Sequence, residues 1–294
     1  MITINRNLPE FPSGSYKKLF TSFLLLLIII TFSACVKQKT SLTIMEGILS
    51  VGVEIGYPPM EYYDTDGVTP IGFDIDMTKA LAEKLDLQVN YVDTTWEGIL
   101  AGLDANRYDI AVNITILEER EKRYNFTKPY IDSSMTIVTL ENSPIKIENP
   151  LDIAGFRVAY QRDTTAQYFT ERLREQGIIF TSFAYDKITN CFDDLALRRV
   201  DLIVVDNIVA FDYAKKPGLN KPDLNMNRHT RTGRTNASFE VVWQGPSDEY
   251  IGIALKKGND TLTTALNNAL DELFQDGTMQ EISQKYFNRN IYSD

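Results

Sequence analysis

Apolar positions along the chain fall into two units of the same form. In the first, Trp96, Ile99, Leu100 and Leu103 make a helical stripe before Arg107-Tyr108-Asp109-Ile110-Ala111-Val112. In the second, Ile188, Phe192, Leu195 and Leu197 precede Arg199-Val200-Asp201-Leu202-Ile203-Val204. Each pattern predicts an amphipathic helix, a tight turn and a buried strand. A unit built twice, far apart in sequence, predicts two similar α/β lobes. In such lobes ligands bind beyond the carboxyl ends of the strands, so the residues after Val112 and Val204 are the first place to look for function.

The remaining pattern alternates strand and helix with short connections, as expected for largely parallel sheets covered by helices. Leu49, Val51 and Val53 alternate as a first strand. Tyr57-Pro58-Pro59-Met60 reads as a rigid extended loop, because two prolines oppose both helix and central strand. Asp74 is placed to cap a helix with Met77, Leu81 and Leu85 buried, and residues 89–92 form the next strand. Residues 117–124 read as a short charged helix and 135–140 as an extended segment leaving the first lobe, with Asn142-Ser143-Pro144 as a hinge. A second α/β set follows: strand 157–160, helix 166–174, strand 178–183, helix 187–198 and strand 202–205. After Asp248-Glu249-Tyr250 come a strand at 251–255 and two amphipathic helices, 262–274 and 278–287, separated by Gly277, which return to the first lobe. The expected organisation is therefore lobe 1 at 47–140 plus 251–294 and lobe 2 at 144–248, with two hinge crossings and a cleft that closes. Residues 215–235, rich in Pro, Gly, Asn and basic residues and holding the only histidine, His229, read as a solvated insertion.

The N-terminus adds an address. Lys17 and Lys18 precede the apolar run 23–30, too short to span a bilayer but suited to a secretory signal, and Ser33-Ala34-Cys35 resembles a bacterial lipoprotein cleavage site. Residues 1–34 are expected to be a signal peptide, Cys35 the lipidated residue and 35–46 a tether to a membrane. Loss of residues 1–34 removes Arg6, Lys17, Lys18 and Glu10, taking the formal charge from −10 to about −12. A chain this acidic is not expected to bind nucleic acid through phosphates. Cys191 is the only cysteine besides Cys35, so the exported chain relies on its core and not on an internal disulfide.

Gly72-Phe73-Asp74-Ile75-Asp76-Met77, shortly after Tyr57-Pro58-Pro59-Met60, begins a series of ordered motifs. Ile114-Thr115-Ile116 with Glu119-Arg120 follows, then Phe126-Thr127-Lys128-Pro129-Tyr130, the stretch from Gln161 to Thr165, Val200-Asp201 with Asp206, and Gly252-Ile253-Ala254. From about Ile48 to Phe287 the chain resembles the bacterial family 3 solute-binding proteins, receptors of polar amino-acid ABC transporters. The resemblance implies a two-lobed periplasmic-binding-protein-like α/β fold of type II, with the ligand between the lobes. It also implies a free amino acid as ligand, an ABC permease and ATPase as partners, a monomeric state and no cofactor or metal.

The chemistry of the matched positions is consistent with that ligand. A free amino acid offers one carboxylate and one ammonium. Arg120 can grip a carboxylate with two parallel hydrogen bonds, as the matching arginine does in family members, or pair with Glu119 or Glu121 on a wet helix surface. Thr115 adds donors. Thr164 and Thr165 stand at a helix N-terminus that can cap the helix, hold an anion, or both. Asp206 is either the cap of the following helix or the partner of the ligand's ammonium, the role its family counterpart takes. Tyr57 and Trp96 are aromatic candidates for the ligand's side chain, although Trp96 at helical spacing also suits a core. Glu54 matches a position where relatives carry an acid toward the side chain, which favours a basic or amide group there. Gln161 and Asn113 complete the candidate set. Asp163 stands where glycine is usual, the stretch before Ile114 is one residue short, and the insertion at 215–235 is extra. Two other functions compete with an importer receptor: a dehydratase acting on a small cyclic carboxylic acid, known among relatives of this fold, and an amino-acid sensor lobe.

Overall fold

The computed structural model describes residues 41–214 and 237–292. The expected signal peptide, Cys35 and the insertion at 215–235 lie outside the described residues. The first sheet opens with β1 (Ile48–Val53). The short pair β2 (Tyr62–Tyr63) and β3 (Pro70–Ile71) leads to helix α1 (Phe73–Lys84), then β4 (Gln88–Asp93), α2 (Trp96–Asp104) and β5 (Ile110–Thr115). A one-turn helix α3 (Glu118–Glu121), β6 (Tyr124–Phe126) and β7 (Ile131–Ser133) complete the first passage. The second sheet is built from β8 (Met135–Leu140), β9 (Arg157–Gln161), α4 (Thr165–Glu175), β10 (Thr181–Tyr185), α5 (Ile188–Ala196), β11 (Leu202–Asp206), α6 (Asn207–Ala214) and β12 (Phe239–Gln244). The chain then re-enters the first sheet as β13 (Glu249–Lys256) and ends in α7 (Asp260–Gln275) and α8 (Thr278–Phe287).

Strand order is β4-β1-β5-β13-β6 in the first sheet, with β7 also on β13, and β10-β9-β11-β8-β12 in the second. In each sheet three parallel strands are joined by an antiparallel strand brought in from a crossing, β13 in one and β8 in the other. The segment 135–140 therefore belongs to the second lobe, not the first. The first crossing is at Ser134, eight residues before the expected Asn142 hinge, and the second is Gly245-Pro246-Ser247-Asp248. The strand expected at 178–183 is observed at Thr181–Tyr185, so residues 178–180 lie outside it.

The duplicated motif has the same physical role in both lobes. Asp109 donates its N–H to Ser50 O at 2.9 Å and accepts from Ser50 N at 2.8 Å through Oδ2. Asp201 donates to Arg157 O at 2.8 Å and accepts from Arg157 N at 2.9 Å through Oδ2. Each aspartate thus locks the start of its strand onto the neighbouring parallel strand, where the ladder has not yet begun and backbone groups would otherwise lack partners. Leu49, Val51 and Val53 of β1, Met77 and Leu81 of α1, and Leu262, Leu266 and Leu270 of α7 share one core. That burial holds both C-terminal helices on the first lobe.

Candidate functional site

A cavity between the lobes takes up about 570 Å³ together with the space where it opens to solvent. Its walls come from both sheets. The first lobe provides Tyr57, Glu61, Trp96, Asn113, Thr115, Ser133, Glu249 and Ile251, and the second provides Gln161, Thr164, Thr165, Ala166, Ile188, Val204, Val205 and Asp206. Val204, Val205 and Asp206 close the carboxyl end of β11, and Asn113 and Thr115 that of β5, so both duplicated strands end in the cleft.

Local backbone geometry places several of these groups. The segment after β1 is a tight turn and not the expected extended loop: Met60 N and Glu61 N donate to Tyr57 O at 2.9 and 3.1 Å, and Tyr57 N donates to Glu61 O at 2.9 Å. The turn sets Tyr57 and Glu61 side by side on the wall. Asn113 has φ of 60°, and opposite it the β13 register shifts between Gly252 and Ala254. The extra residue is a bulge, which re-aims a side chain beside a site. Its backbone N–H donates to Tyr130 Oη at 2.9 Å. Asp163 has φ of 58°, the left-handed conformation that aspartate tolerates better than most residues.

Direct hydrogen bonds join the two lobes across the cleft. Tyr57 Oη donates to Asp206 Oδ2. Trp96 Nε1 donates to Asp163 O at 3.0 Å, and Lys187 Nζ to Ile55 O at 2.9 Å. Gln161 Nε2 donates to both Glu54 oxygens at 3.0 and 2.8 Å and to Asp186 O at 3.0 Å. The Glu249 carboxyl bonds to Thr165, so the N-terminus of α4 meets an acid of the first lobe. Thr164 Oγ1 donates to Gln161 O at 2.7 Å and does not cap α4.

Asp206 is the cap of the following helix and also reaches the cleft. Oδ1 accepts from Ile208 N and Val209 N at 3.0 and 3.1 Å, which caps α6, while Oδ2 faces Tyr57 in the cleft. Arg120 is placed differently from the expected fork. Its guanidinium is buried, donates from Nη1 to Thr115 O at 3.0 Å and bonds to Tyr168. It lines an adjoining pocket with Glu119 and Tyr168, separated from the central cavity by Trp96. Asp74 is not a cap either. Gly72 precedes α1, and Asp74 is buried in its first turn, accepting from Tyr130 Oη at 2.8 Å.

The cavity wall is acidic. Glu61, Asp206 and Glu249 line it, Glu54 lies behind Gln161, and none of the lining residues is Lys, Arg or His. Burial pushes Glu54 and Glu249 up to about 7 and raises Asp206 and Glu61, because desolvation disfavours the charged form. Glu61, Ser133 and Glu249 were not among the sequence candidates. Glu61 becomes legible only once the Tyr57 turn is recognised, since it falls four residues on. Glu249 and Ser133 sit at the crossings, whose position depends on which sheet claims β8.

A model of the bacterial extracellular solute-binding proteins, family 3, matches residues 49–289. The chain belongs to this family. The L-cystine-binding protein TcyJ of Escherichia coli strain K12, a family relative by sequence, is 32% identical over 248 residues, covering 83% of this chain and 84% of its own. Among solved structures, an ancestral arginine-binding protein bound to arginine superposes with a TM-score of 0.72 at 31% identity, covering 83% of this chain and 99% of that one. An ancestral amino acid-binding protein described as a precursor of cyclohexadienyl dehydratase gives 0.69 at 30% identity, covering 82% and 95%. The family's two-lobed α/β architecture is the one described above.

Proposed function

We propose that this protein captures a free amino acid between its lobes and delivers it to the permease and ATPase of an ABC importer. The observation that carries the reading is the inter-lobe cavity at the ends of both duplicated strands, in a chain of this family whose relatives bind cystine and arginine. Asp206 takes the ligand's ammonium in place of Tyr57. Thr115, Thr164 and Thr165 offer donors to its carboxylate, and Arg120 joins them if the Trp96 wall moves on binding. Tyr57 and Trp96 flank the side chain. Glu54, Gln161 and Asn113 face its far end, which favours a polar or basic group. Signal cleavage and lipidation at Cys35 would hold the receptor at the outer face of a membrane.

A thermal-shift screen of the twenty amino acids with cystine, ornithine and citrulline tests this reading, since a ligand at 100 times its Kd stabilises the folded form by about 2.7 kcal/mol. The expected outcome is a raised melting temperature with at least one of them. Asp206→Asn is expected to weaken that ligand at least tenfold more than its deaminated analogue, as measured by calorimetry. Equal loss for both would remove ammonium recognition from Asp206. A response to small cyclic carboxylic acids alone would favour the dehydratase-like alternative.

A further inference from the structure

Beneath the cavity floor, two buried carboxyls face each other. Glu61 is 1% exposed and lines the cavity, and Asp74 behind it is fully buried in the first turn of α1. Their side chains lie against each other, and Glu61 Oε2 and Asp74 Oδ2 are both buried with no hydrogen-bond donor. Tyr130 Oη donates to Asp74 Oδ1 at 2.8 Å and accepts from Asn113 N at 2.9 Å, and the Asn113 side chain bonds to Glu61. These residues form a closed ring, Asn113–Tyr130–Asp74–Glu61, with one edge in the cleft.

Two ionised carboxylates cannot stay in contact in a buried site without a cation. The groups facing Glu61 are Asp74 from α1, Glu54 from the end of β1, Tyr57 from its own turn and Tyr130 from the segment before β7, all acidic or neutral. Lys187, the cation that acts on Glu54, is engaged by Ile55 O. One proton between the two orphaned oxygens satisfies both, and burial, which disfavours the charged form, raises both groups in that direction.

We propose that the Glu61–Asp74 pair holds one shared proton in the empty protein and exchanges it for a cationic group at the far end of the ligand's side chain. Capture of a basic amino acid then releases a proton to solvent, and capture of a neutral one does not. The proposal rests on the amino-acid reading above. It differs from a fixed carboxylate facing a cation in that the pair is also stable without one, sharing its proton, so the cleft need not hold an uncompensated charge when empty.

Calorimetry of L-arginine and L-glutamine binding near pH 7, in two buffers of different ionisation enthalpy, counts the protons released. The wild type is expected to release about one proton per L-arginine and none per L-glutamine. Glu61→Gln, which offers a donor to Asp74, is expected to abolish the release and weaken L-arginine more than tenfold while changing L-glutamine little. Equal proton release by wild type and variant, no release by the wild type, or binding of L-glutamine without L-arginine overturns the exchange. Should the variant not fold, the two-buffer comparison on the wild type decides the matter alone. The infrared carbonyl band of a protonated carboxylic acid, present in the ligand-free wild type and lost in Glu61→Gln and Asp74→Asn, reports on the pair itself. Its absence from the wild type also overturns the proposal. If no amino acid binds, the amino-acid reading fails and the exchange with it, while the band still reports whether the proton is shared.

Discussion

Glu54 directly follows β1, is 2% exposed and keeps both oxygens on the Gln161 amide. Its folded-state value of about 7 lies above the ordinary 4.5, so the folded protein holds a proton there that the unfolded chain releases first. The resulting stabilisation is complete below about pH 4.5 and is lost as pH rises through about 7. Above that range the ionised group costs about 3 kcal/mol. Glu54→Gln keeps an oxygen for Gln161 and carries no charge. Its melting temperature is expected to exceed that of the wild type at pH 8 and to match it at pH 5, by scanning calorimetry. At the same scale, sequence reads Asp206 as either cap or ligand group; the structure shows the cap through Oδ1 and leaves Oδ2 on Tyr57 in the cleft. Arg120 was named as a fork for the cleft, but Thr115 O and Tyr168 hold its guanidinium behind Trp96, a restraint from elements distant in sequence.

Between β1, α2 and β5, the ring of Tyr108 fills the space left by two glycines. A Cβ on Gly52 or on Gly102 would overlap that ring, and Tyr108 Oη donates to Ile99 O. The close approach of helix to strand in the first lobe depends on this pairing. Gly102→Ala is expected to destabilise the protein by about 1 to 3 kcal/mol, the range for overpacking a filled core, read from the urea midpoint at unchanged slope. Hydrophobic period made the elements themselves legible: 278–287 was read as a helix with the bounds the structure shows for α8. Proline alone misleads at Tyr57-Pro58-Pro59-Met60: it favours extension, but the N–H groups of Met60 and Glu61 both donate to Tyr57 O and close a turn. Hydrophobic period fails for β8, because an extended apolar segment carries no mark of which sheet it will join.

Closure is a property of the whole molecule. The cross-cleft bond from Trp96 to Asp163 O makes the indole a reporter of the lobes' approach. The chain has two tryptophans, Trp96 and Trp243, and Trp243 packs on Phe169 within the second lobe. In a Trp243→Phe variant, addition of the amino acid identified by thermal shift is expected to change the emission of Trp96 in a saturable way. A further Trp96→Phe substitution should remove that signal. Emission that does not respond at saturating ligand would mean that the Trp96 wall is unaffected by binding.

Sequence by itself determined the two-lobed α/β plan, because a repeated helix–turn–strand period and its aspartate are local signals of burial and register. It also marked the ends of β5 and β11 as the place of function and supplied half of the residues that line the cleft. Only the tertiary structure decided where the chain crosses between lobes, that Asp206 faces Tyr57, and that Arg120 stands one wall away. It alone brought Glu61 against Asp74 at the floor of the cavity. Those outcomes depend on pairings between β8 and β11, between β13 and β5, and across the cleft, where partners far apart in sequence compete for the same hydrogen bonds and the same buried volume, and no periodicity within one segment records which partner prevails.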